Sequence, residues 1–255
     1  MNSLPETPVD IRTFNDSRKY LGQPPLGPRQ ADVLLRFFAD NSKFTELVLL
    51  YGKGSGKDHM AGIITLYMVY KTLLLRNPQA HFGLAPDSPL DFVNVAQSAD
   101  QAERVYFEGS LLAKLNHSPY FRDVQFQTTH NMIRFPHAIR AISAHSQNES
   151  YEGFNILGFV MDEAAAFRSE NRAVNADKIY STLRTSMFSR FGDKGRGCIL
   201  SYPRHEEDFI MRKYADATKY SWILADKGST WDINPLRRKE DFAEEYERDP
   251  IDAEG

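Results

Sequence analysis

The stretch 47-LVLLYGKGSGKDHMAGIITLYMVY-70 constrains the fold more than any other part of the chain. A short apolar run, ELVLLYG, ends in glycine and suits a strand buried on both faces. After Gly56 the spacing is that of a long helix through Leu75, stopped by Asn77-Pro78. A loop that leaves a buried strand and opens a helix aims its backbone N–H groups at one spot. The helix dipole adds positive potential there, so phosphate is favoured. Gly52, Gly54 and Gly56 can take the positive φ angles of such a nest, with Ser55 between them, and Lys57 can reach the β- and γ-phosphates. The pattern G-x-x-x-x-G-K-[ST] is nearly met, with two departures. Tyr51 stands where the first glycine belongs, and Asp58 replaces the hydroxyl that would hold magnesium. Asp58 has two readings. It takes over the metal site, since magnesium accepts carboxylate oxygen directly or through water, or it is a first-turn carboxylate favoured only by the dipole.

Other apolar runs extend this unit into a sheet. DFVNVA (91–96), NILGFVMDE and GCILSYP read as buried strands, with YSWILAD (220–226) a weaker fifth. Helices are expected from Pro28, after Ser98 as cap, around 175–190 and from near Glu206. Residues 124–143 alternate like short antiparallel strands with a turn near Pro136. Apolar strands alternating with helices predict an α/β fold, a mostly parallel sheet with helices on both faces. Residues 1–27, with prolines at 5, 8, 24 and 25, are expected as an N-terminal arm. Residues 28–230 form the P-loop domain, and the charged 231–255 a linker or lid.

The second half of the chemistry is 156-ILGFVMDEAAAF-167. Two adjacent carboxylates at the end of an apolar strand are costly to place without a cation nearby. Asp162 would hold a magnesium-bound water and Glu163 would polarise the attacking water. As a chance strand end, the same pair would be two solvated acids. DFVNVA and its helix intervene between the loop strand and the acidic strand. An inserted strand and a glutamate base mark one large branch of P-loop ATPases, the additional-strand, catalytic-glutamate type. ATP and Mg2+ are the expected cofactors.

Composition narrows the partners. A net charge of -3 excludes a uniformly basic nucleic-acid binder but leaves room for a local basic face, for which 184-RTSMFSRFGDKGRG-197 and 236-LRRK-239 are candidates. One cysteine, Cys198, excludes an internal disulfide and fits a reducing compartment; it reads as a buried small hydrophobe. The N-terminus lacks a signal-peptide pattern, and the run Ala61–Leu75 is too short to span a bilayer. His205-Glu206-Glu207 reads as a helix start rather than a metal cluster. Tyr106, Phe107, Tyr120 and Phe121 suit the core better than base stacking.

From about Pro28 to Asn234 the chain resembles the ATPase part of the phage large terminase subunit, a DNA-packaging motor. The resemblance rests on 26-LGPRQ-30, YGKGSGKD, 93-VNVAQSADQAERVYF-107, 132-MIRFPHAIRAISAHS-146, MDEAAAF and 201-SYPR-204, in that order. It implies an adenine-reading Gln30, a basic second loop position at Lys53, catalytic roles for Lys53, Lys57 and Glu163, and a coupling turn at Ser201, Pro203 and Arg204. It implies double-stranded DNA, a portal and a small terminase subunit as partners, and a homo-oligomeric ring at the procapsid portal in the host cytoplasm. Two features depart from the family. Glu152 precedes Gly153 where many relatives carry a trans-acting arginine. Lys53, Arg140, Arg184, Arg190 and Arg204 are replacement candidates, each also readable as a solvated surface cation. The nuclease domain of full-length relatives has no room here, so no DNA cleavage is expected. A helicase lobe would need a Q-x-x-G-R-x-x-R block, which is not found. A non-catalytic nucleotide-sensing or assembly module is the rival from another class.

Overall fold

The computed structural model describes residues 7–146, 153–167, 176–204 and 206–243. Glu152, His205 and the segment 244–255 of the expected lid therefore lie outside the described residues. The elements run α1 (Ile11–Asp16), α2 (Pro28–Phe38), β1 (Glu46–Tyr51), α3 (Lys57–Leu73), α4 (Pro78–His81) and β2 (Leu90–Ala96). A π-helix (Gln101–Leu112) follows, then α5 (Ala113–His117), α6 (Pro119–Val124), β3 (Gln127–Thr128), β4 (Met132–Arg134), β5 (Ile139–His145) and β6 (Ile156–Asp162). The chain continues with α7 (Ala176–Phe191), β7 (Arg196–Ser201), α8 (Phe209–Asp216), β8 (Ile223–Gly228) and α9 (Thr230–Ile233).

The strands form one sheet in the order β3-β4-β5-β2-β6-β7-β1-β8. From β5 to β8 every pairing is parallel, and β3 and β4 add an antiparallel edge. Side chains alternate across the sheet. Leu47, Leu49 and Tyr51 of β1 join α1, α2 and α3 in one core, while Val48 and Leu50 join α7 and α8 in another. Both faces are thus covered, as the uninterrupted apolar runs demand.

The strand lying between β1 and β6 is β7, not β2. β2 intervenes in sequence but sits on the far side of β6. Register sets the site: Leu50 pairs with Ser201, and Asp162 with Leu200. The glycine loop, the acids and the turn at 201–204 therefore meet at the carboxyl ends of three adjacent strands, where ligands bind in open parallel sheets.

The helix after Ser98 is capped as expected, with Ser98 Oγ accepting from Gln101 N at 3.2 Å, but most of it is wound as a π-helix. It packs on α3 at Gly62, where a Cβ would come within 2.4 Å of Ser110 Oγ. Cys198, Tyr106, Phe107 and Phe121 are buried as predicted.

The lead-in expected as an irregular arm contains a helix that is part of the core. Asp10 caps α1 by accepting from Thr13 N. Val9 N donates to Tyr70 Oη at 3.0 Å, and Val9 O accepts from Tyr67 Oη at 2.9 Å. Phe14 is fully buried, with ring centroids 4.8 Å from Tyr70, 5.4 Å from Tyr67 and 6.3 Å from Phe121. Phe14→Ala is expected to destabilise the fold by about 3 kcal/mol in urea titration, a loss a detached arm would not show.

Candidate functional site

Two glycines shape the loop between β1 and α3. Gly54 and Gly56 have φ of +77° and +86°, a region a side chain rarely occupies. Gly52, expected to share this conformation, does not. Tyr51 ends the strand rather than opening the nest. Its buried phenol donates to Asp226 Oδ2 at 2.7 Å, and Arg29 pairs with the same carboxylate at 2.7 Å. The large side chain is an anchor on the sheet, so the first glycine of the usual pattern is not needed at this position.

Gln30 is buried and braces the loop. Its Oε1 accepts from Gly27 N at 2.8 Å and its Nε2 donates to Ser55 O at 2.7 Å. Both ends of the amide that was expected to read an adenine edge are therefore engaged with backbone. A Cβ on Gly56 would come 3.3 Å from that amide nitrogen. The segment after β8 straps the outer side of the loop. Thr230 Oγ1 donates to Lys53 O, and Asn234 Nδ2 to Gly54 O at 2.9 Å. Pro203 and Gly52 border a cleft of about 300 Å³ that Trp231 and Lys239 also line.

Lys57 opens α3 with its ammonium turned inward. Nζ donates to Tyr51 O at 3.1 Å and Gly52 O at 3.0 Å, and lies 3.7 Å from Glu163 Oε1. Burial lowers its pKa, and the charges of Glu163, Asp162 and Asp58 oppose that shift.

Asp58, Asp162 and Glu163 each offer an oxygen within 4.8 Å of the others. Asp162 is 1% exposed, and neither of its oxygens has a hydrogen-bond partner among the described residues. Burial, followed by the Asp58 and Glu163 charges, drives its pKa well above the carboxylate range. Glu163 is shifted upward too, by burial, against the pull of Lys57. It occupies the left-handed region at φ +54°, a strained placement for a side-chain-bearing residue, and Ala166 N bonds its carbonyl at 2.8 Å. Three carboxyl groups gathered beside one ammonium in a buried place resist ionising together. Hard oxygen donors without protein partners fit a divalent cation such as magnesium. Asp58 and Asp162 are the residues that could hold it.

The turn at 201–204, expected to couple the site, is tied to the acids. Ser201 is fully buried; its Oγ accepts from Ala165 N at 3.1 Å and donates to Tyr202 O at 3.0 Å. β7 is thereby bonded to the turn that presents Glu163. Arg204 N donates to Asp208 Oδ2 at 2.6 Å, which fixes the turn onto α8.

The candidate cations separate cleanly. Arg140 is held by Asp91, at 2.6 Å and 2.9 Å, and Arg184 by buried Glu46. Asp91 and Glu46 lie at the starts of β2 and β1, the end of the sheet away from the site. These arginines are structural partners, not free fingers. Arg190 is exposed on α7. Lys53 and Arg204 are at the site, each close to the ring of Tyr202, a residue the sequence did not single out. Nor was the strap of Thr230 and Asn234 predictable, since each bonds a loop residue more than a hundred positions away.

A family model described as the N-terminal P-loop domain of uncharacterized protein MJ0330 matches residues 2–255. MJ0330 of Methanocaldococcus jannaschii is 28% identical over 224 residues, which cover 80% of this chain and 38% of that protein. The chain thus spans well under half of that relative. The HK97 bacteriophage large terminase superposes with a TM-score of 0.69 at 16% identity, over 93% of this chain and 50% of that one. The Thermus phage P74-26 large terminase ATPase domain gives 0.66 at 16% identity, over 92% and 93%. The fold is therefore that of the phage large-terminase ATPases, and the chain belongs to the family of the MJ0330 N-terminal P-loop domain.

Proposed function

We propose that the chain hydrolyses ATP and uses the cycle to translocate double-stranded DNA, as the motor part of a genome-packaging machine. The observation that carries the hydrolytic reading is Asp162: a buried carboxylate with no protein partner, beside Asp58 and Glu163 and in the field of Lys57. Such a group persists where a metal-bound anion completes the site.

In this reading the Gly52–Gly56 loop and Lys57 hold the phosphate chain, with Lys53 at its outer side. Asp58 and Asp162 would hold a magnesium ion, which would supply positive charge against the phosphates. Glu163 accepts a proton from the attacking water. Burial moves its pKa upward, toward the range where a carboxylate works as a base near neutrality. Ser201 transmits a shift of the Glu163 turn to β7 and to the Pro203–Arg204 turn, because one hydroxyl bonds both.

DNA translocation is supported by the likeness in fold to terminase ATPases, and a portal, a small terminase subunit and a ring of identical subunits are the partners proposed with it. Among the described residues no helix is long and apolar enough to cross a membrane.

Phosphate release from Mg-ATP, measured with and without double-stranded DNA, tests the motor reading. Turnover that rises with DNA, and DNA affinity that falls steeply with salt, are expected. Retained nucleotide binding with no phosphate release under either condition would instead favour the sensing module. Glu163→Gln is expected to keep Mg-ATP affinity while lowering kcat by roughly 100-fold or more. Asp162→Asn provides a readout independent of turnover. Its amide can donate to Asp58 where the carboxylate could not, so in EDTA Tm should rise by roughly 3 °C. The extra stabilisation that wild type gains from Mg-ATP should disappear in the same variant, seen by calorimetry.

A further inference from the structure

We propose that Arg204 is the cation that binds the terminal phosphate of the nucleotide, supplied by the same chain as the loop, and that Tyr202 is the ring that positions it. The inference rests on the hydrolytic reading above and names a residue that completes its site.

Three cations surround the Tyr202 ring. Lys53 Nζ lies 4.8 Å from the centroid, Lys57 Nζ 5.4 Å and Arg204 Cζ 5.3 Å. A π face attracts each of them, worth about 1 kcal/mol apiece, but their mutual repulsion grows as they converge. Lys57 has a partial counter-charge in Glu163, whereas Lys53 and Arg204 form no ion pair with a described residue. Lys53 and Arg204 therefore bring positive charge to the glycine loop without an ion pair of their own, on the side of the site that the phosphate chain would occupy. A phosphate group would give both a partner.

The guanidinium is also short of an acceptor. Arg204 Nε is buried with no hydrogen-bond partner among the described residues, and so are Ser55 Oγ, Glu163 Oε2 and both oxygens of Asp162. One class of ligand answers all of them: a metal-bound phosphate presents oxygens to the arginine and hydroxyl donors and a cation to the carboxylates. The root of the side chain is fixed, since Pro203 precedes it and its own N–H is bonded to Asp208 at 2.6 Å. Arg204 also lies near enough to Glu163 for its charge to favour the ionised carboxylate. Arg140 and Arg184 cannot serve, being committed to Asp91 and Glu46 at the other end of the sheet.

Such an arginine strengthens its contact as negative charge redistributes over the transferring phosphoryl group, so it acts on turnover more than on binding. Arg204→Ala is expected to lower kcat roughly 100- to 1,000-fold, with ADP affinity within about twofold of wild type. Arg204→Lys should recover part of the loss, since charge returns without the planar fork. Tyr202→Phe should keep most activity and Tyr202→Ala should not, because the ring and not the hydroxyl holds the cations.

Two further measurements separate the possible failures. In a Glu163→Gln background, ATP should bind more tightly than ADP, and adding Arg204→Ala should remove that preference. This readout stands even if the unmodified chain releases no phosphate, a result that would sink the hydrolytic reading alone. Mixing Arg204→Ala subunits with Glu163→Gln subunits should restore no activity, because each site then lacks one of two groups it needs in the same chain. Recovery on mixing would mean that the arginine acts across a subunit interface. That result, an unchanged kcat in Arg204→Ala, or an ATP preference that survives its removal would overturn the proposal.

Discussion

The arrangement depends on a charge imbalance that the protein does not resolve by itself. Asp162 ends β6 and is walled by β2 and β7 on either side, with Asp58 of α3 and the adjacent Glu163 as its charged neighbours. Lys57 is one ammonium against three carboxylates, and part of its bonding capacity goes to the Tyr51 and Gly52 carbonyls. Burial penalises every one of these charges, and it is the largest influence on Asp162, Glu163 and Lys57 alike. A cation with phosphate would turn these penalties into attractions, because a low dielectric strengthens paired charges as much as it punishes unpaired ones. Stability of the empty site and affinity for its ligand are therefore opposed.

Asp58 gains a clearer meaning in that setting. As a first-turn carboxylate favoured by the helix dipole, it would have no reason to face another acid. Its oxygen instead shares a small volume with Asp162 and Glu163. The dipole still favours it, and its charge, after burial, is the next largest influence raising the pKa of Asp162. Its backbone carbonyl accepts from Ser110 Oγ at 3.1 Å, so the π-helix steadies the turn that carries it. Where the usual pattern has a serine or threonine, this chain thus places a carboxylate within reach of the two acids that follow β6.

What could be read in the sequence was local. A glycine-bearing turn between an apolar run and a helical pattern is written within about twenty residues of sequence, and so are MDE and SYPR. Long-range pairings were not legible. Helix α1 escaped notice because its six residues are stabilised by Tyr67, Tyr70 and Phe121, far along the chain. Gln30 gives no sign in the sequence that Gly27 and Ser55 each bond one end of its amide. Arg140 and Arg184 looked free until the sheet brought Asp91 and Glu46 to them. Strand order fails for the same reason: chain order places β2 after the loop strand, while the space beside β1 is filled by β7 from much later in the chain.

That substitution of β7 for β2 gives the site its mechanical character. β7 is bonded along its length to both the loop strand and the acidic strand. At its end Ser201 joins the Glu163 turn, and the next residues carry Tyr202 and Arg204. The loop strand and the acidic strand thus share one short strand as their common neighbour. The opposite side of the loop is held differently, by Gln30 and by Thr230 and Asn234. Each of those hydrogen bonds contributes about 1 kcal/mol net, little enough for ligand binding to exchange them. The strand is the stiff element and the strap is the yielding one. This end of the sheet is therefore restrained in two ways, by a hydrogen-bonded strand on one side of the loop and by single exchangeable bonds on the other.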